Sequence, residues 1–176
     1  MNADPDDVIV TQGVSEGIDF LNAIMINAPE KAILFRPYYP LYPLYLRENG
    51  GIPLFENYYE QLGWNIDTDK LERTIKKEAK KRPKYMLITN PNNPTGTVLD
   101  RKVLEEIAEL ANNYDILLVS DEIYDEIVFN NAKFTSVAQV AKGMPYMIMN
   151  GASKAFDATG FRLGYVIIPE HDRKSE

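Results

Sequence analysis

The chain has 176 residues, 45% hydrophobic and 26% charged, which fits about one globular domain with a sizeable core rather than a disordered segment. A net charge of −7 with no basic stripe argues against a nucleic-acid partner, and the absence of cysteine excludes disulfides and thiolate metal sites. No apolar run reaches membrane-spanning length, no residues recur at metal-ligand spacing, the single His171 lies near the terminus, and the acidic start Met1-Asn-Ala-Asp-Pro-Asp-Asp-Val8 is unlike a secretory or transit peptide, so a cytoplasmic protein is expected.

Val8-Ile-Val-Thr11 reads as a short strand running directly into Gln12-Gly-Val-Ser-Glu-Gly17. Ile18, Leu21, Ile24 and Met25 recur at helical spacing, so a helix is predicted from about Ser15, with Ser15 as its N-cap. A glycine-containing turn that opens a helix offers free backbone N–H groups to an anion, although taken alone it is an ordinary strand-to-helix turn. Lys31–Phe35 is the next strand. Arg36-Pro-Tyr-Tyr-Pro-Leu-Tyr-Pro-Leu-Tyr45 follows, with four tyrosines and three prolines in ten residues. It predicts no regular element and an aromatic wall that a lone domain would expose, and core or interface packing accounts for most such rings. Gly51–Phe55 is expected at a sheet edge, because Pro53 cannot donate to a central ladder. Glu60–Asp67 reads as a loop. A helix is predicted from about Asp69 to Lys80, with Leu71 and Ile75 inward and the basic run Lys76–Arg82 serving its C-terminal dipole.

Lys84–Thr89 is a strand ending in Asn90-Pro-Asn-Asn-Pro-Thr-Gly96. The Asn-Pro pairs force extended or turn geometry there, and ligands of open α/β sheets bind beyond the carboxyl ends of strands. Asp100 is placed as the cap of a helix to about Asn113, with an apolar stripe of Val103, Leu104, Ile107, Leu110 and Ala111. Ile116–Ser120 is almost wholly apolar, as a central parallel strand should be, and runs into Asp121-Glu-Ile-Tyr124. A carboxylate just past a buried strand is costly unless it meets a cation, although alone it is more often a helix N-cap. Two last strands, Met144–Asn150 and Leu163–Ile168, flank Gly151-Ala-Ser-Lys-Ala-Phe-Asp-Ala-Thr-Gly-Phe-Arg162. Lys154 sits there among small and apolar residues. Such surroundings disfavour the charged form and leave the amine a usable nucleophile, while Arg162, eight residues on, offers a fork of donors suited to phosphate. A lone lysine in a loop between strands is more often simply solvated, but a lysine with a phosphate clamp suggests pyridoxal phosphate held as a Schiff base.

Ser153-Lys154 followed by Thr159-Gly-Phe-Arg-Leu-Gly-Tyr165 resembles the lysine loop of the fold-type I, aspartate-aminotransferase-like enzymes. The Gly13 turn, the Pro37-Tyr-Tyr39 aromatic, the Asn93-Pro-Thr-Gly96 turn and Asp121-x-x-Tyr124 follow in that family's order, each at a predicted strand end, between Val8 and Pro169. Asn150-Gly-x-x-Lys154 and Arg36-Pro-Tyr-Tyr39 are most similar to the prokaryotic aspartate, alanine and aromatic aminotransferase group. The resemblance implies that Lys154 is catalytic, carrying pyridoxal 5'-phosphate as a Schiff base and moving the proton of the substrate's Cα. It further implies that Gly13, Val14, Ser15 and Arg162 hold the phosphate, Tyr39 stacks on the pyridine ring, Asp121 pairs with the ring nitrogen, and Asn93 and Tyr124 bond the phenolic oxygen. Many members place a serine three residues before the lysine. Gly151 stands there, leaving Ser153 as the replacement donor to be tested.

The fold implied is a three-layer α/β/α domain with a mainly parallel seven-stranded sheet, its last strand antiparallel. Full-length relatives carry an N-terminal segment and a C-terminal small domain, so residues 1–176 are expected to be the large, cofactor-binding domain without either. The expected activity is amino-group transfer between an amino acid and a 2-oxo acid, impaired in this chain because the family's substrate-carboxylate arginine lies in the small domain. Arg36, before Pro37, is expected to pack rather than replace it. The family's members are dimers, so a homodimer is expected. The alternatives are a carbon–sulfur lyase of the same fold and a non-catalytic ligand-binding module. A nucleotide-binding domain lacks support, since the chain has no Gly-x-Gly-x-x-Gly or Walker-type loop.

Overall fold

The computed structural model describes residues 4–169, and His171 lies outside them. Eight strands form one sheet in the order β1-β8-β7-β6-β5-β2-β3-β4. They are β1 (Val8–Gln12), β2 (Lys31–Arg36), β3 (Ile52–Tyr59), β4 (Asn65–Ile66), β5 (Tyr85–Thr89), β6 (Leu117–Asp121), β7 (Tyr146–Gly151) and β8 (Leu163–Ile167). Neighbours from β3 through β2, β5 and β6 to β7 are parallel, whereas β8 runs antiparallel to both β7 and β1, as expected of the last strand. The strand beyond the seven expected is β4. It is two residues long, pairs antiparallel at Tyr58 and Tyr59, and falls inside the segment read as a loop. Too short to show an alternation, it is held by its neighbour. Pro53 lies on the stretch of β3 that no further strand covers, which is where its missing donor does no harm.

Side chains alternate across the central strands and so divide the core in two. Ile33, Phe35, Met86, Ile88, Leu118 and Ile148 face the layer of α3 (Thr68–Lys77) and α4 (Arg101–Asn113). Ala32, Leu34, Leu87, Val119, Met147 and Met149 face α1 (Gly13–Met25) and α2 (Leu41–Glu48). Each fully buried leucine, isoleucine or methionine contributes about 1.5–3 kcal/mol. The short α5 (Ala152–Ala155) sits between β7 and β8. No helix among the described residues is long and apolar enough to cross a membrane.

Four local expectations are corrected. α1 begins at Gly13 with Gln12 at the N-cap position, so Ser15 lies within the first turn and caps nothing; Glu16 instead reaches back to accept the Gln12 N–H at 2.6 Å. The tyrosine–proline run is not irregular, because α2 starts at Leu41. Pro40 is the N-cap and Pro43 falls in the first turn, where the missing N–H has no helical partner to lose. Nor is that run an exposed wall: Tyr42 is 2% exposed, and Tyr38, Tyr39 and Tyr45 are half-buried. Asp100 does occupy an N-cap position, but its carboxylate accepts from Asn65 Nδ2 rather than from the helix, and α3 is capped by Asp67.

Candidate active site

The strand order turns between β5 and β2, and the carboxyl ends of β1, β2, β5, β6 and β7 converge on one edge of the sheet. There a cavity of about 200 Å³ is lined by Val14, Ser15, Tyr39, Asn93, Asp121, Tyr124, Ser153, Lys154 and Arg162, joined by Tyr42, Ile123 and Thr159. Every residue assigned to the cofactor from the sequence lines it, except Gly13. Gly13 is buried at φ +74°, and a Cβ there would come within 2.6 Å of Arg162 Nη2.

That near-contact is one of three. A Cβ on Gly164 would lie 2.5 Å from the Gly13 carbonyl carbon, and one on Gly151 would lie 2.6 Å from the Leu163 oxygen. Glycine at these positions lets the start of α1, the end of β7 and the start of β8 close on one another. A Cβ at position 151 would be driven into backbone, so any larger residue there, serine included, would force β7 and β8 apart. Arg162 is exposed, sits at φ +51°, and donates to Thr159 O at 3.2 Å and Gln12 O at 3.4 Å. It has no carboxylate partner among the described residues. Its guanidinium therefore stands beside the opening turn of α1, whose first N–H groups have no intrahelical acceptor. A cationic fork with no carboxylate on it, a helix start and the hydroxyls of Ser15 and Ser153 make a set of donors for an anion.

Asp121 is 3% exposed at the end of β6. Burial pushes its carboxyl up to about 6, against the pull of hydrogen bonds from Tyr42 and the Ile123 N–H. Glu122 is 2% exposed and turns away from the cavity, accepting the Val137 N–H at 2.9 Å. Lys154 corrects an expectation: it is exposed in α5, not enclosed by apolar side chains, with Nζ 5.7 Å from the centre of the Tyr124 ring. Asn93 and Tyr124, which also line the cavity, are half-buried. Asn90, in the same motif, is structural. It bonds Leu99 N at 2.9 Å and Thr135 O at 3.2 Å.

Sequence reasoning missed Tyr42, Ile123 and Thr159 as lining residues. Thr159 lay within the quoted lysine-loop string. Tyr42 left only the faint signal of an aromatic three residues after Tyr39, because its place in the first turn of α2 depends on a helix start the sequence did not show. The donor set suits a molecule with an anionic end, a carbonyl within reach of an amine, and a basic nitrogen facing a buried carboxylate, so the residues present fit pyridoxal phosphate.

The chain was compared with known proteins. Alanine aminotransferase from Mycobacterium tuberculosis is 36% identical over 94% of the chain and 38% of its own length. Aspartate aminotransferase from Bacillus sp. strain YM-2 is 32% identical over 92% of the chain and 41% of its own length. Among solved structures, an alanine aminotransferase from Pyrococcus furiosus superposes with a TM-score of 0.89 at 35% identity, covering 97% of this chain and 42% of that one. The Thermus thermophilus aspartate aminotransferase with maleate gives 0.88 at 33% identity, covering 96% and 43%. The chain thus spans about two-fifths of the length of these relatives. The family described as aminotransferase class I and II, whose homologues are pyridoxal-phosphate-dependent, matches residues 1–174, and the chain belongs to it.

Proposed function

We propose that the cavity holds pyridoxal 5'-phosphate and that residues 1–176 are the cofactor-binding domain of an aminotransferase, acting on an amino acid and a 2-oxo acid. The observation that carries this reading is the convergence of a lysine and an arginine, neither paired with a carboxylate among the described residues, with a helix start and one buried carboxylate around a ring-sized space. When bound, the cofactor supplies an aldehyde conjugated to an electron-withdrawing ring. Lys154 Nζ would be the amine that meets the aldehyde and, when free, would hold or move the proton at the substrate's Cα. Asp121 would present a negative charge to a protonated ring nitrogen, Tyr39 would pack against the ring, and Asn93 and Tyr124 would bond its phenolic oxygen. Arg162, the N–H groups of Gly13, Val14 and Ser15, and the hydroxyls of Ser15 and Ser153 hold the phosphate.

A cytoplasmic location and a homodimer belong to the same proposal. The second is supported by Phe156 and Phe161, which are 78% and 84% exposed on the lysine loop beside the cavity, large apolar side chains of the kind that mark interaction surfaces. The test of the cofactor reading is chemical. Borohydride reduction with pyridoxal phosphate should fix one equivalent on Lys154, and Lys154→Ala should abolish it. Label spread evenly over the exposed lysines would sink the assignment.

A further inference from the structure

Asp121 closes β6 in register with Thr89, which closes β5. Above the pair runs α2, and its Tyr42 Oη donates to Asp121 Oδ2 at 2.7 Å while lying 2.9 Å from Thr89 Oγ1. A phenol has one proton. Since the carboxylate takes it, the Thr89 hydroxyl must be the donor to Tyr42 Oη, and the chain runs one way: Thr89 to Tyr42 to Asp121. Thr89 is fixed in turn by Tyr58, which donates to its carbonyl and accepts its N–H, both at 3.2 Å. The Tyr42 ring also meets Tyr39 edge-on, 5.7 Å between centres at 77°. A phenylalanine would fill the same space, so a hydroxyl buried at 2% exposure has to be explained by what it bonds.

We propose that Tyr42 is a positioning residue of this site: its hydroxyl, aligned by Thr89, orients the Asp121 carboxylate and sets its charge, and its ring holds the plane of Tyr39. The purpose assigned to it rests on the cofactor reading above; the coupling to Asp121 rests on geometry alone. Burial drives Asp121 toward its neutral form, and the Tyr42 bond is the first of the two that oppose this. Tyr42's own titration is pushed well above its ordinary range, by burial first and then by Asp121, so it remains a donor wherever Asp121 titrates. The other titratable groups facing Asp121 are the phenols of Tyr58 and Tyr124, and the cations lining the same cavity are Lys154 and Arg162.

The test titrates Asp121 in the cofactor-free chain through the ¹³C shift of its side-chain carboxyl, with Asp121→Asn identifying the signal. Tyr42→Phe is expected to raise the midpoint by about one to two pH units, the equivalent of one charge-assisted hydrogen bond. Thr89→Val, which removes the donor behind Tyr42, should raise it by less, and Thr89→Ser should restore it. A folded Tyr42→Phe with an unmoved midpoint overturns the proposal. Should Tyr42→Phe fail to fold, Thr89→Val decides: a raised midpoint upholds the relay and an unmoved one overturns it. Because this readout needs no cofactor, it separates from the trapping experiment. Trapping on Lys154 without a midpoint shift overturns only the role of Tyr42. A midpoint shift without trapping overturns the cofactor reading and leaves Tyr42 as the group that sets the charge of Asp121.

Discussion

Asp121, the last residue of β6, and Glu122 just past it are both nearly inaccessible and turn different ways. Asp121 turns to the cavity, whereas Glu122 ties down Val137. Burial pushes Glu122 from its ordinary 4.5 up to about 7, outweighing the hydrogen bond from Val137. Between those values the folded chain binds more protons than the unfolded one. Stability is therefore fullest below about pH 4.5, falls as pH rises toward 7, and levels off above it, a loss on the order of 3 kcal/mol from this group. Asp121, raised from 3.8 to about 6, adds a loss of the same sign. Glu122→Gln keeps an oxygen for Val137 and removes the charge. Urea unfolding at pH 5 and pH 8 should show the variant losing about 1–3 kcal/mol less than the parent between the two. Equal losses would show that Glu122 does not titrate in this range. At this scale the sequence showed the residues whose type and spacing are themselves the signal: Lys154, Asp121, Asn93 and Arg162. It could not show the environment of Lys154, since exposure depends on how α5 sits between two strands.

At the scale of elements, the site is held together by places where a side chain is missing. Gly13 and Gly17 lie on the face of α1 turned to β8, where a Cβ on Gly17 would meet Val166 Cγ2 at 2.8 Å. Gly164 answers them from β8, with Gly13 backbone 2.5 and 2.7 Å from where its own Cβ would be. Backbone cannot yield as a flexible side chain can, so Gly164→Ala must push α1 away from the sheet. The expected cost is about 1–3 kcal/mol or more in urea unfolding, with weakened pyridoxal phosphate binding because the α1 start and Arg162 separate. Gly160→Ala is the control. Nothing lies within 4 Å of its Cβ and its φ is not in the left-handed region, so its effect should stay within about 0.5 kcal/mol. A Gly164→Ala chain as stable as Gly160→Ala would mean that the approach of α1 to β8 is looser than described. The strands and the amphipathic helices α3 and α4 were legible because their periods are written in the side chains. α2 was not, because its prolines read as breakers until their place in the first turn is known. β4 was not, because two residues carry no period.

For the molecule as a whole, the question is how much of a catalytic cycle one sheet edge can support. The groups proposed to meet the cofactor come from the carboxyl ends of five strands and, for Arg162, the start of β8, and they converge on one cavity. That is why the cofactor half of the site was legible in the sequence: each strand end carries its own short motif. A substrate's carboxylate is another matter. The cations lining the cavity are Lys154 and Arg162, and the proposal already commits both. Arg36 lies over the Phe55 ring at 4.7 Å, in the neighbouring cleft with Pro37 and Tyr38, as its expected packing role required. Among the described residues no third cation reaches the cavity to hold the substrate's Cα–H bond against the ring. Losing one buried, charge-assisted contact costs about 2–5 kcal/mol, or on the order of one to four powers of ten in rate. We therefore expect this chain to take up pyridoxal phosphate and to convert it to the amine form with alanine or aspartate more slowly than a full-length relative by that margin. A single-turnover experiment following cofactor absorbance after mixing with the amino acid measures it. Conversion as fast as in a full-length relative would mean that a carboxylate clamp exists in this chain, and Arg36, swung off Phe55, would be the first residue to replace with alanine.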